Sequence, residues 1–309
     1  MNTKLMEYIV KISETSSITK AAQQLFITQS ALDQQLIKLE KELGVKLFNR
    51  VKNNFSLTEE GNIYVSYAKQ IIDLKKEAYT IIDDIAERNA GVLHIGLTPE
   101  RGIKMFVAVY PDFYHRYPGV TVVPREINVM RQLEMIRQNT LDFGFVAIPK
   151  NNVPIPGMNH ISIITEDFVL AIPKVHPLAS MAAPDSCPFT RIELSFFKDD
   201  SFVLMFKEST QRVLIDQLFK DAAFSPNIIF ETSSNNTIIS MVEAGLGCSI
   251  LPRYYTRKSE KIVYFSLDGN ITLELIACYK HKKYLSKAAH SFIELAAEFW
   301  KKKAEVNFR

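Results

Sequence analysis

The sequence has few cysteines, few glycines and prolines, and no long apolar run. Its 309 residues include 3 Cys, 11 Gly and 13 Pro. The cysteines, Cys187, Cys248 and Cys278, form no C-x-x-C pair, which argues against a disulfide framework and against a zinc site. No stretch reaches the roughly 18 apolar residues that a membrane-spanning helix needs, and charged residues interrupt any apolar signal core at the N-terminus. We therefore expect reduced thiols, no membrane contact and a cytoplasmic location.

What is present fits a globular protein of about two domains. Hydrophobic residues make up 47% and charged residues 23% of the chain, enough to build sizeable cores. The net charge of +3 arises within the first 57 residues, which hold eight Lys and Arg against five Asp and Glu. A basic N-terminal module attached to a neutral remainder favours a polyanion as partner of the first module.

The spacing of apolar residues predicts three short helices near the N-terminus. The first covers 3–14, the second 18–25, and the third begins after Thr28 and ends at Gly44. Ser17 and Thr28 supply N-cap oxygens, and Gly44 suits a left-handed C-cap position. Polar residues at the start of the third helix lie off its apolar stripe, so we expect them to face outward.

A short basic hairpin is predicted after the third helix. The run from Arg50 to Asn54 is polar, and the pair Asn53-Asn54 tolerates positive φ, which suits a hairpin tip between two short strands. Taken alone, such a hairpin is usually a solvated loop.

A long helix follows, from Thr58 as N-cap to about Arg88. Apolar residues recur along it every seven positions, with a second set three residues later: Tyr64, Tyr67, Ile71, Leu74, Ala78, Ile81 and Ile85. Such a seam over about three heptads predicts pairing with a second copy of the helix. The alternative is that the stripe packs only on its own chain.

Beyond Gly91, strand-like runs alternate with helical stretches, which predicts a mostly parallel sheet covered by helices. The predicted strands are 92–97, 120–125, 143–148, 168–172, 202–206, 228–230, 248–251 and 273–278. The predicted helices are 99–114, 129–139, 210–222, 235–244 and 286–300. This pattern fits either one sheet or two smaller α/β lobes.

Several segments resemble a known family. LysR-type transcriptional regulators have an N-terminal signature similar to ITKAAQQLFITQSALDQQLIKLEKELGVKLFNR at 18–50 and FSLTEEG at 55–61. Further along, Gly119-Val120, LDFG at 141–144 and AGLG at 244–247 also look like this family. The resemblance spans nearly the whole chain and is strongest over residues 1–65.

The resemblance implies a fold and a division of the chain. An N-terminal all-α winged helix-turn-helix DNA-binding domain is expected over 1–58, and a dimerising linker helix over 59–90. A C-terminal α/β effector domain of two periplasmic-binding-protein-like lobes would follow, with lobe 1 at 91–163 and 267–309 and lobe 2 at 164–266. The resemblance further implies a homodimer or homotetramer that binds double-stranded DNA at a dyad-symmetric site, without a cofactor.

The start of the third helix carries the candidate base-reading residues. A helix with Gln and Ser at its outward N-terminal end can enter the major groove and hydrogen-bond base edges. Gln29 suits a bidentate contact to adenine, and Ser30 suits either a base or a phosphate. The hairpin would reach phosphates or the minor groove. The complete set of candidate DNA contacts is Thr28, Gln29, Ser30, Asp33, Gln34, Arg50, Lys52 and Asn53.

Asp33 departs from the family pattern, in which Ser is more common at this position. Its charge would repel nearby phosphates. Two roles stay open: Asp33 accepts a hydrogen bond from a cytosine amino group, or it caps and orients Gln29 from one turn away.

The candidate effector site lies at the carboxyl end of the predicted sheet. Thr98 followed by Pro99 predicts a capped helix directly after a strand, with backbone amides pointing toward the edge where α/β proteins bind ligands. The candidate effector contacts are Thr98, Glu100, Asn128, Ala147, Phe202 and Thr232. Each also suits plain capping or packing, and Glu100 offsets the positive helix end, so the charge of a small-molecule effector stays open.

Two other classes of protein share features of this sequence with a regulator. A solute-binding protein of the periplasmic type would share the lobed architecture without binding DNA, but the basic N-terminal module disfavours it. An enzyme is disfavoured because the six His form no metal-ligand pair, Gly245-x-Gly247 fits a helix C-cap, and Cys248 lies in an apolar strand. The sequence therefore predicts a regulator with no catalytic residues and no metal.

Overall fold

The chain folds into two compact units, residues 1–86 and residues 87–309. The computed structural model describes residues 3–51, 54–182, 189–268 and 271–307. Each unit has its own hydrophobic core.

The first unit contains four helices and a two-stranded hairpin among its described residues. They are α1 (Lys4–Thr15), α2 (Ile18–Gln24), α3 (Gln29–Leu43), β1 (Phe48–Val51), β2 (Asn54–Leu57) and α4 (Glu59–Ile85). The two strands pair antiparallel, with Phe48 opposite Leu57. The predicted order of three short helices, hairpin and long helix is confirmed, although α4 ends at Ile85 rather than near Arg88.

Local capping explains where these helices begin and end. The hydroxyl of Ser17 accepts a hydrogen bond from the Lys20 amide, and those of Thr28 and Thr58 accept from the Ala31 and Gly61 amides. Each cap satisfies one of the unpaired amides of a first helical turn. Gly44 ends α3 with φ of 73°, the left-handed conformation that glycine adopts without steric cost.

The core of the first unit lies where α1, α2 and α3 meet the start of α4. Fully buried side chains include Ile9, Ile12, Leu32 and Leu36. Burial of each such side chain contributes roughly 1.5–3 kcal/mol to folding. This packing fixes which side of α3 faces outward.

The second unit contains ten strands and five α-helices among its described residues. The strands are β3 (Ala90–Leu97), β4 (Gly119–Glu126), β5 (Phe143–Pro149), β6 (Met158–Pro173), β7 (Arg191–Ile192), β8 (Ser201–Met205), β9 (Asn227–Thr232), β10 (Ser249–Pro252), β11 (Ile262–Leu267) and β12 (Thr272–Lys280). The helices are α5 (Arg101–Arg116), α6 (Val129–Arg137), α7 (Thr210–Asp221), α8 (Asn235–Glu243) and α9 (Lys287–Asn307).

The sheet is mixed rather than mostly parallel, which corrects the expectation from the sequence. Its strand order is β4-β3-β5-β12-β6-β11-β7, with β10 also paired to β6. β3 pairs parallel with β4 and β5, but β6 pairs antiparallel with β10, β11 and β12, and β12 with β5. β11 and the first ten residues of β6 were not predicted. β10, most of β12 and the end of β6 were predicted, but their antiparallel pairing is not encoded in their apolar runs.

Four hydrophobic cores pack on the sheets of this unit among the described residues, and the 16-residue strand β6 joins the two largest. One core includes Phe113, Phe143 and Trp300 and is covered by α5 and α9. The other includes Phe197, Phe202 and Phe265 and is covered by α7. The first part of β6 pairs with β12, and its last part pairs with β10 and β11. We call the region around the first core lobe 1 and that around the second core lobe 2.

Candidate functional site

The N-terminal end of α3 presents an exposed polar surface. Thr28, Gln29, Ser30 and Gln34 are all exposed. The Gln29 side-chain oxygen accepts a hydrogen bond from the Thr19 hydroxyl at 2.9 Å. The Thr28 and Ser30 hydroxyls lie 3.2 Å apart. These contacts orient hydrogen-bonding groups at the end of α3 and leave them accessible to a partner.

Asp33 contacts the hairpin rather than Gln29. Arg50 Nη2, on β1, lies 3.0 Å from Asp33 Oδ1, and both side chains are about one-third exposed. The suggestion that Asp33 orients Gln29 is wrong, because Thr19 on α2 makes the hydrogen bond to Gln29. Lys52 and Asn53, the other two predicted contacts, lie outside the described residues.

Sequence reasoning missed the contribution of Glu40. Its side chain is buried, and its carboxylate accepts hydrogen bonds from the Leu47 amide at 2.9 Å, the Lys46 ammonium at 3.0 Å and the Phe48 amide at 3.4 Å. Glu40 therefore fixes the end of α3 to the start of β1. The only signal in the sequence was an acidic residue beside the apolar stripe of α3.

The apolar seam of α4 is largely uncovered by its own unit. Tyr67 is 62%, Leu74 66% and Ile85 75% exposed, and Ala78 is also exposed. Ile71 and Ile81 are half-buried. The alternative that the stripe packs on its own chain holds best for Tyr64, which packs against the core and whose pKa is raised by burial.

A cleft of about 410 Å³ lies in the second unit. It is walled by the N-terminal ends of α5, α6 and α7, and the start of α8. Its apolar lining includes Pro99, Val129, Met130, Ala147, Met205, Phe206, Pro252, Tyr255 and Leu273. Ten polar or charged residues complete the lining: Thr98, Glu100, Arg101, Asn128, Glu208, Ser209, Thr210, Gln211, Ser233 and Asn235. A concave site that combines apolar walls with polar groups able to orient a ligand is the usual form of a small-molecule site.

The structure brings four of the six predicted effector residues together in this cleft. Thr98, Glu100, Asn128 and Ala147 line it. Phe202 does not, because it lies near the start of β8 and its fully buried side chain packs edge-to-face against Phe219 in the core of lobe 2. Thr232 is not among the lining residues either; its hydroxyl accepts a hydrogen bond from the Ser234 amide.

The predicted start of α5 is also wrong. Thr98 does not cap a helix with Pro99 in its first turn; α5 begins at Arg101, and Glu100 occupies the N-cap position without a side-chain capping bond. Glu100 has φ of 61° and ψ of −82°, which is strained for a residue with a side chain. Its carboxylate is thereby held across the cleft.

Three hydrogen bonds cross the cleft, at two places. Glu100 Oε1 accepts from the Ser234 hydroxyl at 2.5 Å and from the Asn236 amide at 3.4 Å, at the start of α8. The Thr210 hydroxyl, at the start of α7, donates to the Ala147 carbonyl at 2.8 Å. Both contacts join lobe 1 to lobe 2 on residues that line or border the cleft.

A buried ion pair lies beside the cleft. Arg101 Nη1 donates to Glu166 Oε2 at 2.9 Å, and the Tyr254 amide donates to Glu166 Oε1 at 2.7 Å. Burial opposes the charge on Arg101, but the adjacent Glu166 carboxylate raises the pKa of the guanidinium, so it stays protonated. The Arg101 guanidinium also lies over the Tyr254 ring, 4.4 Å from its centroid. No sequence pattern pointed to Glu166, which lies within β6.

His176, Asp200 and Cys248 form a cluster of possible metal ligands within 4.8 Å of one another. His176 Nδ1 accepts a hydrogen bond from the Leu178 amide, so the ring proton lies on Nε2 and faces Asp200 Oδ1 at 3.1 Å. In this tautomer the Nδ1 lone pair is engaged by the Leu178 amide and Nε2 carries the proton, so neither nitrogen is available to a metal without breaking a hydrogen bond. Burial and Asp200 raise the pKa of the Cys248 thiol to about 12, which makes it a poor metal ligand or nucleophile at neutral pH.

Two protein-family models match the chain. The bacterial regulatory helix-turn-helix protein, lysR family, matches residues 3–62, and the LysR substrate binding domain matches residues 86–301. The chain belongs to the LysR family. This LysR-type transcriptional regulator thus has a helix-turn-helix DNA-binding domain and an effector-binding domain, which confirms the predicted fold and function.

This LysR-type chain is similar in sequence to known regulators and similar in fold to proteins of solved structure. The uncharacterised HTH-type transcriptional regulator YybE of Bacillus subtilis is 30% identical over 94% of this chain and 97% of its own. A full-length OxyR variant from Pseudomonas aeruginosa is 22% identical, with a TM-score of 0.63 over 96% of this chain and 97% of that one. CbnR, solved in complex with its target DNA, is 20% identical, with a TM-score of 0.51 over 98% of this chain and 100% of that one.

The hydropathy of the helices bears on membrane contact. None of the helices in the described ranges has the length and apolar character that a membrane span requires.

Proposed function

We propose that this LysR-type regulator reads DNA with the exposed end of α3. The observation that carries the proposal is the set of oriented, accessible polar groups on Thr28, Gln29 and Ser30. With Asp33 and Gln34 they form a compact patch that suits base edges in the major groove. Arg50, with Lys52 and Asn53 next to it in the sequence, would contact the sugar-phosphate backbone. CbnR, of the same fold, is known bound to its target DNA.

The functional unit would be at least a dimer. The exposed seam residues of α4 form an apolar strip that a second copy of the helix could cover, and paired seams would hold two copies of α3 in fixed relation. The full proposed seam is Tyr64, Tyr67, Ile71, Leu74, Ala78, Ile81 and Ile85. A dyad-symmetric DNA site, bound by a homodimer or homotetramer, matches this symmetry.

A small-molecule effector would bind the cleft of the second unit. Thr98, Glu100, Asn128 and Ala147 line that cleft, as do Ser209 and Thr210 from lobe 2. Because both lobes contribute to its walls, a ligand there would change how the lobes are held together. This coupling is how effector binding would modulate promoter binding.

The proposed division of the chain follows these roles: 1–58 for DNA binding, 59–90 for dimerisation, 91–163 with 267–309 for lobe 1, and 164–266 for lobe 2. The two separate hydrophobic cores support the last two boundaries. We further propose that the protein is not an enzyme, since its family consists of regulators. Work on chromosomal DNA would place it in the cytoplasm.

Salt-dependent DNA binding tests the proposal. A DNase footprint on the upstream region of its own gene should reveal a dyad-symmetric site, and binding to that site should weaken steeply between about 50 and 200 mM salt, as counterion release requires. Gln29→Ala should lower the affinity for that site more than the affinity for random duplex. Indifference of the folded full-length protein to every genomic duplex would contradict the proposal and favour a solute-binding protein instead.

A further inference from the structure

Asp33 and Arg50 form an ion pair within the proposed DNA-binding surface. Asp33 lies one turn after Gln29 on α3, and Arg50 lies on β1 of the hairpin. Their charged atoms are 3.0 Å apart. Asp33 Oδ1, the oxygen that faces Arg50, is itself buried and has no hydrogen-bond partner among the described residues, so its contact with Arg50 is an ion pair rather than a directed hydrogen bond. A charge pair held this way can be exchanged for another partner.

The pair opposes DNA binding in two ways. The negative charge of Asp33 offsets the positive charge of Arg50, which would otherwise be attracted to a phosphate. The pair also places a carboxylate close to where phosphates approach. Each phosphate contact that a protein makes releases condensed counterions and steepens the dependence of affinity on salt. While Arg50 is paired with Asp33, it contributes less than one phosphate contact. The full contact forms only when the ion pair breaks.

On the basis of the proposed function, we infer that Asp33 is a specificity-determining residue that restrains Arg50. On duplexes that give the Asp33 carboxylate no hydrogen-bond donor, the pair persists and general affinity stays low. On duplexes that offer the Asp33 carboxylate a hydrogen-bond donor, Asp33 binds that donor and Arg50 moves to a phosphate. Lower affinity for non-cognate DNA sequences is a common means of specificity. In this protein the lower affinity would depend on the ion pair between Asp33 and Arg50.

The test uses the full-length protein and a random-sequence 30-bp duplex, with binding measured by fluorescence anisotropy from low to moderate salt. Asp33→Asn should bind this duplex more tightly and steepen the slope of log affinity against log salt by about 0.9, the value for one additional phosphate contact. Circular dichroism should show an unchanged fold, because the Asp33 side chain is partly exposed.

A double-mutant cycle separates restraint of Arg50 from simple loss of a negative charge. In an Arg50→Gln background, Asp33→Asn should have much less effect on affinity than in the wild-type protein. Glu42→Gln is the matched control, since it removes the same charge from an exposed position on the same helix, and it should change the salt slope much less than Asp33→Asn.

Two outcomes would overturn the inference on its own: an unchanged salt slope in Asp33→Asn, or an equal effect of Asp33→Asn with and without Arg50. A wild-type protein that binds no duplex even at low salt would overturn the proposed function together with this inference. Failure of the inference about Asp33 can therefore be distinguished from failure of the proposed function.

Discussion

At the residue scale, Glu40 shows how a single buried carboxylate can position a binding surface. It accepts two backbone hydrogen bonds and an ammonium group at the junction of α3 and β1. Glu40→Ala leaves two amides without their acceptor, and we expect the free energy of unfolding to fall by about 3 kcal/mol. Urea unfolding followed by circular dichroism measures this loss. Glu42→Ala, at an exposed position nearby, should change it by less than about 0.5 kcal/mol; equal effects of the two would show that Glu40 has no such role.

Asp142 gives the second unit a defined response to acid. Burial raises the pKa of this carboxyl group, but the His94 ring, with Nδ1 3.6 Å from Oδ2, the Lys283 ammonium at 2.9 Å and the His94 amide at 2.7 Å outweigh it and hold the pKa well below the ordinary value. The ionised form therefore stabilises the fold above about pH 4, the pKa in the unfolded chain, and this stabilisation is lost as the pH falls below that.

Asp142→Asn tests this sign. The wild-type protein should be more stable than the variant at pH 7, and the difference should narrow as the pH falls from about 4 toward 3. Chemical unfolding at a series of pH values gives the difference directly. A constant difference over the whole range would mean that the charge of Asp142 does not contribute.

At the element scale, local signals in the sequence were mostly reliable, the helix start predicted at Thr98-Pro99 being the exception, whereas non-local ones were not. The caps at Ser17, Thr28 and Thr58 follow from the chemistry of one helical turn, and all three are confirmed. Strand pairing depends on residues far apart, so the antiparallel neighbours of β6 could not be derived from its apolar run. The strand at Ile262–Leu267 was missed altogether.

The predicted site residues show the same contrast between local and non-local signals. Thr98 and Asn128 line the cleft because they lie within two residues of the carboxyl ends of the parallel strands β3 and β4, a position that the sequence indicates. Phe202 was placed at the wrong end of its strand; Met205 and Phe206, at the carboxyl end, line the cleft instead. The strained backbone of Glu100 and its contacts to α8 have no sequence signature, since they depend on how the two lobes meet.

The seam of α4 yields a prediction for the element as a whole. Ile71→Asp should produce monomers with weakened DNA binding, since a charge within a helix pair is costly to bury. Because Ile71 is half-buried in its own unit, Leu74→Asp is the cleaner variant; Leu74 is 66% exposed, and its change should spare the fold. Analytical ultracentrifugation measures the assembly. Tyr79→Asp, at another exposed position off the seam, should leave it intact, whereas an intact assembly in Leu74→Asp would contradict the pairing role.

At the scale of the whole effector-binding unit, Glu100 joins the two lobes at a cost in backbone strain. Loss of its carboxylate removes an acceptor from the Ser234 hydroxyl and the Asn236 amide while leaving the Thr210 contact on the other side of the cleft. We therefore expect Glu100→Ala to loosen the cleft without unfolding either core. Faster hydrogen exchange at the start of α8, with unchanged exchange in β6, is the expected result.

A glycine at the same position separates strain from contact. Glu100→Gly removes the same carboxylate but accommodates positive φ without the steric cost that alanine keeps. Both variants should show the faster exchange in α8, whereas Glu100→Gly should be more stable than Glu100→Ala by up to about 1 kcal/mol. Glu208→Ala is the control, because Glu208 lines the same cleft without a hydrogen bond across it among the described residues. If Glu208→Ala and Glu100→Ala accelerate exchange in α8 equally, the effect belongs to cleft charge in general, and the lobes are not held together by the Glu100 contact.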